Sequence, residues 1–481
     1  MVGRVVVIGA GIAGLVTAKV LRDDGFEVLV VEKGPAIGGV WTPSRTYPGL
    51  RTNNSRETYA YSDHPYDRSA DFYPSAEQVR GYLDSYISRF ELAGLFRLST
   101  EVVRIGRSGA GFEVQVRDPD GPADIACDFV VVCTGTYSAP AMPNIEGAER
   151  FTGTIVHSSE AADPAVLEGK RVIVVGAGKS ALDCAVSAAE HGKRSTLVFR
   201  APHWMVPRYL FGVIPVDRLV LGRVPEMLIP YHRRNRWERF LHGRGALLTW
   251  SAWRLADLLF RAFLRMPAAM SPEQSLPHGL ENIGLVSEFY TLARRGRIAL
   301  RRDTITSFDA AGVSLASGRR LPADTIVFAT GWRQELPFLT PELRHAIQPD
   351  GRFSLYRHIL PPTEQRLGFI GYANSTACPL TAEISAHWLA QAFRGELNLP
   401  EVDAMNTEIR HVHEWLAEVY PARPQGYFLG QHLIHHLDDL LADMGLPTRR
   451  TRNVIIEYFG KFGPPRYRDV AAQRRAAKHG D

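Results

Sequence analysis

The turn Gly9-Ala10-Gly11-Ile12-Ala13-Gly14, set directly behind the apolar run from Arg4 to Ile8, constrains this chain more than any other feature. A short β-branched run is the pattern of a strand buried on both faces of a parallel sheet. Glycines at this spacing allow a tight bend, an approach of bare backbone to a ligand, and close packing of helix on strand. Leu15 to Leu21 reads as the helix, Asp24-Gly25 as its stop and Phe26 to Val31 as the next strand, which completes a βαβ unit. Glu32 closes that strand 18 residues past Gly14, where a carboxylate can accept from a ribose diol. The helix N-terminus adds amide donors and the positive end of its dipole, so the unit predicts a dinucleotide site.

The same grammar returns. Arg171 to Val175 reads as a strand, Gly176-Ala177-Gly178-Lys179-Ser180-Ala181 as the turn, a helix runs to Glu190, and Ser195 to Phe199 is the second strand. Alanine in the third place still permits close helix packing. Gly9 to Glu32 is 23 residues and Gly176 to Arg200 is 24, so an arginine stands about where the first unit has its acid. A guanidinium fork matches a phosphate, which predicts NADPH in preference to NADH, with Lys179 or His203 as helpers. Without that role, Arg200 reads as a solvated strand end. Gly178-Lys179-Ser180 imitates the end of a nucleotide-hydrolase loop, but Ile173 stands where that loop needs its first glycine.

The chain has 481 residues, 45% of them hydrophobic, enough for roughly three domains of about 150 residues. Its formal charge of +5 is too small to imply nucleic acid. Cys127, Cys133, Cys184 and Cys378 include no close pair, so neither a disulfide framework nor a redox or metal motif is predicted, and a reducing cytoplasm fits. His435-His436 and the other histidines lack ligand spacing, and no metal is predicted. Val5 begins a strand where a signal peptide would stand, and no run of about 18 uninterrupted apolar residues exists. Residues 201 to 270 differ from the rest, with 11 Arg, no Lys and the four acids Asp217, Glu226, Glu238 and Asp257. They read as a substrate-side insertion with a solvated basic face; membrane contact is possible but less favoured. Phe129 to Cys133 before Thr134-Gly135, and Thr325 to Ala329 before Thr330-Gly331, read as two returns to one sheet. Residues 400 to 445 read as helical, and the basic tail from Gly463 as a loose end.

Further motifs narrow the class: Gly38-Gly39-Val40-Trp41, Leu50-Arg51-Thr52-Asn53-Asn54-Ser55-Arg56-Glu57, and Phe151-Thr152-Gly153-Thr154-Ile155-Val156-His157-Ser158. With Cys133-Thr134-Gly135-Thr136-Tyr137-Ser138 and Phe328-Ala329-Thr330-Gly331-Trp332, they resemble the flavin-containing monooxygenases, the class B flavoprotein monooxygenases. A weaker echo lies at Glu383 with His387-Trp388.

The resemblance implies an α/β fold of two Rossmann-like domains, FAD on the first and NADPH on the second, with a C-terminal helical segment. The expected division is a first part of the FAD domain at 1–155, the NADPH domain at 156–320, a second FAD part at 321–400 and a helical segment with the basic tail at 401–481. It implies as cofactor-binding residues Gly9, Gly11, Gly14, Glu32, Gly39, Trp41, Arg51, Thr52, Thr134, Gly135, His157, Gly176, Gly178, Lys179, Ser180, Arg200, Thr330 and Gly331. Trp41 either packs along the flavin or fills the core. His157 is implied to coordinate cofactor positions and not to act as acid or base. Asn53 matches the asparagine whose neutral amide hydrogen-bonds near the flavin peroxide; in isolation it reads as part of a turn-forming Asn-Asn pair. The implied reaction passes hydride from NADPH to flavin, adds O2 to give a peroxyflavin, and delivers one oxygen atom to a small organic substrate.

The related Baeyer–Villiger monooxygenases share the glycine turns and a Tyr-Pro-Gly stretch, here Tyr47-Pro48-Gly49. They carry an aspartate where this chain has Asn53 and an aromatic near Ala161, so oxygenation of a soft nucleophile, amine nitrogen or sulfide sulfur, is favoured over ketone oxygenation. The two nucleotide units also admit an NADPH oxidase or a non-catalytic, membrane-associated flavoprotein. A disulfide reductase would need a close cysteine pair, which Cys127 and Cys133 are not.

Overall fold

A computed structural model describes residues 2–161, 163–277, 284–286, 288–421 and 429–478. Two five-stranded parallel sheets organise the chain. In the first, Arg4–Ile8 lies between Glu27–Val31 and Phe129–Val132, with Phe96–Arg97 and Leu367–Phe369 at the edges. In the second, Arg171–Val175 lies between Arg194–Phe199 and Thr325–Phe328, flanked by Ile298–Arg302 and Thr154–His157. Val5, Val6 and Val7 are buried, as a strand covered on both faces requires. The helices Ile12–Asp23 and Lys179–His191 follow the two glycine turns. The apolar helix Cys378–Phe393 is buried along nearly all its length, against Ile12–Asp23. Each βαβ unit is thus built as its local pattern predicts.

Sheet membership differs from the pattern in one place. Thr325–Phe328 pairs in parallel with Arg171–Val175, not with a strand of the first sheet, so it is no second return to that sheet. The expected boundary at 320 therefore cuts the second domain short. The boundary at 155 falls inside Thr154–His157, which pairs with Thr325–Phe328. The two crossings run side by side, because Ala139–Pro140 pairs antiparallel with Trp332–Arg333.

The Arg-rich segment is a closed insertion somewhat longer than 201–270. Met205–Pro207 pairs with Gly284–Val286 and makes its neck. Its body rests on the C-terminal helices Val402–Val419 and Leu433–Asp443. Tyr231 donates to Asp439 at 3.0 Å and the Trp415 ring donates to the Pro230 carbonyl at 2.8 Å. The basic tail is not loose. Pro464–Tyr467 and helix Val470–Lys478 fold back, and the buried Arg474 donates to His387 Nδ1 at 2.7 Å and to Asp24 at 2.6 Å. The last three residues lie outside the described residues.

His435 is one joint between insertion and body. Its Nδ1 lies 2.9 Å from Glu226, and its Nε2 hydrogen-bonds Glu238. Both carboxylates belong to the insertion and are buried. Glu226 also caps the helix Leu433–Asp443 by accepting from the Ile434 amide at 2.8 Å. Burial opposes the imidazolium, but hydrogen bonds to Glu226 and Glu238 outweigh it and hold His435 up to about 10. The folded value exceeds the ordinary 6.5, so this joint's contribution is whole below pH 6.5 and fades as pH rises towards about 10. His435→Gln, which leaves two buried carboxylates without their cation, should cost about 3–5 kcal/mol. Thermal midpoints of the two proteins should differ most below pH 6.5 and converge near pH 10.

Candidate functional site

The first turn leaves its backbone bare. Gly9 holds φ +102°, and its amide donates to the Val31 carbonyl at 2.8 Å. A Cβ on Gly14 would stand 1.9 Å from the Gly9 carbonyl oxygen, so only glycine lets the helix begin there. Gly11 faces Gly39, and a Cβ on Gly39 would stand 3.1 Å from the Gly11 Cα. Neither a side-chain cap nor an acid occupies the first turn of helix Ile12–Asp23, so its amides and dipole are open to an anion. Glu32 sits at the mouth and accepts from the Ala10 amide at 2.8 Å and the Gly34 amide at 2.7 Å. Each oxygen keeps a lone pair for a hydroxyl. This cradle fits a dinucleotide pyrophosphate and its ribose.

The loop after it divides the predicted residues by role. Trp41 is buried edge-on to Tyr59, 5.9 Å between rings, and fills the core. Arg51 is committed to Asp71 at 2.7 Å and to the Tyr73 carbonyl at 2.9 Å. Thr52 is buried and donates to the Asn54 carbonyl at 2.7 Å. These three brace the loop through the protein's own contacts, and the buried Trp41 Nε1 has no partner among the described residues. Asn53 is exposed, whereas Asn54 is buried with an Nδ2 that finds no acceptor among the described residues. A buried donor without a partner costs free energy that a bound acceptor can recover. The loop is anchored from the insertion, since Asp217 accepts from the Ser55 amide at 3.0 Å and from the Thr58 hydroxyl at 3.4 Å. Thr134 shares a hydrogen bond of 3.2 Å with Tyr372, next to Gly135 at φ +68°.

The second turn repeats the first. Gly176 holds φ +136° and a Cβ there would meet the Ala329 carbonyl at 2.4 Å, while a Cβ on Gly178 would point into open space. Lys179 is held by Asp183 at 2.5 Å. The Tyr47 hydroxyl, from the first domain, donates to Asp183 at 3.1 Å and to Ser180 at 3.3 Å. Arg200 is exposed and forms no ion pair among the described residues. Arg302 lies beside it, its Nε donating to the Arg200 carbonyl at 3.2 Å.

His157 joins the domains' linkers. It is fully buried, with Nδ1 2.9 Å from the Ser159 hydroxyl and Nε2 3.0 Å from the Gly331 carbonyl. Burial holds its imidazole below the ordinary range, so it is a neutral tie and not an acid. Its ring meets Trp332 edge-on at 4.9 Å, and the Arg45 guanidinium lies 4.9 Å from that same indole ring. Thr330 donates to the Ala141 carbonyl at 2.6 Å, so Thr330 and Gly331 serve the crossing between domains. Arg45, Tyr47, Asp183 and Asp217 were not singled out as site residues by sequence pattern, although Tyr47 stands in the Tyr-Pro-Gly stretch. The four cysteines are free, and burial raises Cys127 to about 11 and Cys133 to about 12. Among the described residues no group of His, Cys, Asp or Glu could hold a metal ion.

Two bare glycine turns, one closed by an acid and one by an arginine, joined through buried linkers, define a flavoprotein oxidoreductase with two dinucleotide sites. The flavin-binding monooxygenase-like family model matches residues 2–239 and 287–451. The chain belongs to that family, a class of enzymes whose cofactors are FAD and NADPH. Among its relatives, "Probable flavin-containing monooxygenase 1" of Arabidopsis thaliana is 29% identical, covering 97% of this chain and 96% of its own. A dimethylaniline monooxygenase (N-oxide-forming) 2 of Oryctolagus cuniculus is 26% identical over 92% of this chain and 83% of its own. Among solved structures, S-allyl-L-cysteine S-oxygenase of Allium sativum superposes with TM-score 0.63 at 20% identity, over 99% and 94% of the two chains. Cyclohexanone monooxygenase of Rhodococcus sp. Phi1, bound to NADP+, gives 0.67 at 20% identity, over 92% and 97%.

Gly14→Ala places its methyl against the Gly9 carbonyl and should yield protein without flavin absorption, read from the visible spectrum after purification. Gly178→Ala meets open space and should retain the flavin.

Proposed function

We propose that this chain is an NADPH- and O2-dependent monooxygenase that oxygenates a soft nucleophile, amine nitrogen or sulfide sulfur, of a small organic substrate. The observation that carries this reading is the pair of bare turns with opposite strand-end charges, Glu32 on the first and Arg200 on the second. FAD, when bound, supplies two-electron redox chemistry and activation of O2. The amides at Gly9 to Ile12 and the helix dipole hold its pyrophosphate, and Glu32 accepts from its ribose. The Gly176 to Ser180 turn does the same for NADPH, while the Arg200 fork takes the 2′-phosphate.

Asn53 donates its amide to the reacting oxygen. Being neutral at every pH, it brings no proton of its own and no charge that would repel an electron-rich oxygen. Aspartate there would bring a proton when neutral or a negative charge when ionised, which separates this site from ketone-oxygenating relatives. Ala161 supports the same distinction: it is buried in the second domain's core and stands near where the ketone-oxygenating enzymes carry an aromatic. His157, kept neutral, fixes the linker that carries Gly331 and Trp332. The N-oxide-forming relative supports a heteroatom substrate, and the fold shared with cyclohexanone monooxygenase keeps ketone oxygenation as the second reading.

Arg200→Ala should raise the KM for NADPH by about 10- to 100-fold, the worth of a charge-assisted phosphate contact, and leave that for NADH nearly unchanged; equal losses would refute the phosphate role. For the oxygen chemistry, NADPH-reduced protein is mixed rapidly with oxygenated buffer without substrate. An absorbing species distinct from oxidised flavin should persist while NADP+ is bound, and Asn53→Asp should shorten its life. Direct reoxidation with stoichiometric hydrogen peroxide would overturn the monooxygenase reading.

A further inference from the structure

The segment 240–286 lies between the two stretches that the family model matches, and its helix Ala246–Leu264 is apolar on the wrong side. Thr249, Asp257, Phe260 and Leu264 are buried against the body. Leu247 is 73% exposed, Leu258 67% and Trp250 57%, with Leu248 and Leu255 also outward. At 3.6 residues per turn these side chains share one face, whose charges are Arg254 and the Asp257-paired Arg261. A surface helix of a globular protein ordinarily turns polar residues outward. The neighbouring helix Arg236–Leu241 exposes Trp237 and Phe240, and the Thr249 hydroxyl donates to its Leu241 carbonyl at 3.0 Å.

The charge around this face has one sign. All four acids between 201 and 270 are buried and engaged: Asp217 with the Ser55 amide, Glu226 and Glu238 with His435, Asp257 with Arg261. Arg234, Arg236, Arg239 and Arg244 are exposed and form no ion pair among the described residues. A cavity of about 360 Å³ opens beside the helix, lined by Trp250, Trp253 and Leu276 with Arg254 and His242 among its polar groups.

We propose that this face docks in the plane of an anionic lipid bilayer, with the leucines and tryptophans entering the boundary between headgroups and acyl chains and the arginines meeting phosphates. Apolar residues flanked by unpaired cations match the two components of such a surface. A second copy of the chain matches only one, since face-to-face pairing would set arginine against arginine: the four acids between 201 and 270 are buried, and the exposed Glu273 is already paired with Arg302. The helix lies on the bilayer and does not cross it: among the described residues no helix is long and apolar enough to span a membrane.

Co-sedimentation of the flavin-loaded protein with phosphatidylcholine vesicles, with and without phosphatidylserine, tests this. The protein should sediment with the anionic vesicles, leave them at high salt, and show a blue-shifted tryptophan emission when bound. Leu255→Asp combined with Leu258→Asp should weaken binding at least about tenfold. Arg239→Glu combined with Arg244→Glu should do the same on anionic vesicles. Both variants should keep the flavin and its turnover in buffer. Protein that stays in the supernatant with anionic vesicles overturns the proposal, as does equal binding to both vesicle types. So does a dimer in light scattering that Leu258→Asp dissociates, for a second copy would then be the occupant.

Discussion

The contact that everything else here depends on is the one that cannot be made. A Cβ at Gly14 would stand 1.9 Å from the Gly9 carbonyl, and one at Gly176 would stand 2.4 Å from that of Ala329. Absent side chains let each first helix start directly on the end of its strand, so that amides and dipole converge on one bare patch of backbone. The parallel sheets put both patches at the carboxyl ends of their strands, where open α/β sheets bind ligands. With the anion sites fixed by sterics, discrimination passes to single residues at the next strand end. An acid there suits a diol and a guanidinium suits a phosphate. Glu32 is held in place by two backbone amides, whereas Arg200 is exposed and forms no ion pair among the described residues.

Transfer between two such sites requires the domains to hold a common frame, and the structure ties them through buried groups. Tyr47 reaches from one domain to Ser180 and Asp183 of the other. Burial raises its phenol well above the ordinary range, so it stays a neutral hydrogen-bonding group. His157 is neutral too and spends both ring nitrogens on the linkers. Neutral, satisfied groups suit a joint of this kind, because they avoid the desolvation cost of buried charge and add no titration near neutral pH.

What was legible in the sequence follows from the range over which each feature is determined. The glycine turns, their strands and helices, Glu32 and Arg200 are set by neighbours within about 25 residues, and the pattern finds them. Thr325–Phe328 carries the same short apolar run and Thr-Gly ending as the strand before Thr134-Gly135, yet belongs to the other sheet. Nothing local marks which parallel partner a strand takes. From sequence, residues 201 to 270 read as an insertion with a solvated basic face and the tail that holds Arg474 as a loose end, because charged residues are usually exposed. The partners of Arg474, Glu226 and Glu238, which are Asp24, His387 and His435, lie far along the chain, beyond the reach of any local pattern. Trp41, Arg51 and Thr52 share a motif with Asn53, and a motif does not separate residues that touch a ligand from those that hold the loop.

The same burial of acids links the insertion to the site in a way composition conceals. Eleven arginines against four acids suggest a uniformly basic surface, but each acid is used inward. Asp217 is the clearest case, since it accepts from the Ser55 amide two residues beyond Asn53 and contacts Thr58 as well. A carboxylate bound to a backbone amide inside the protein is a strong, directional contact, so the position of the Asn53 loop depends on the seating of the insertion. That seating in turn rests on His435 between Glu226 and Glu238. Inward acids therefore perform two tasks with one set of residues. They lock the insertion against the loop that carries Asn53, and they leave the arginines of its outer face, Arg234, Arg236, Arg239 and Arg244, without acid partners among the described residues.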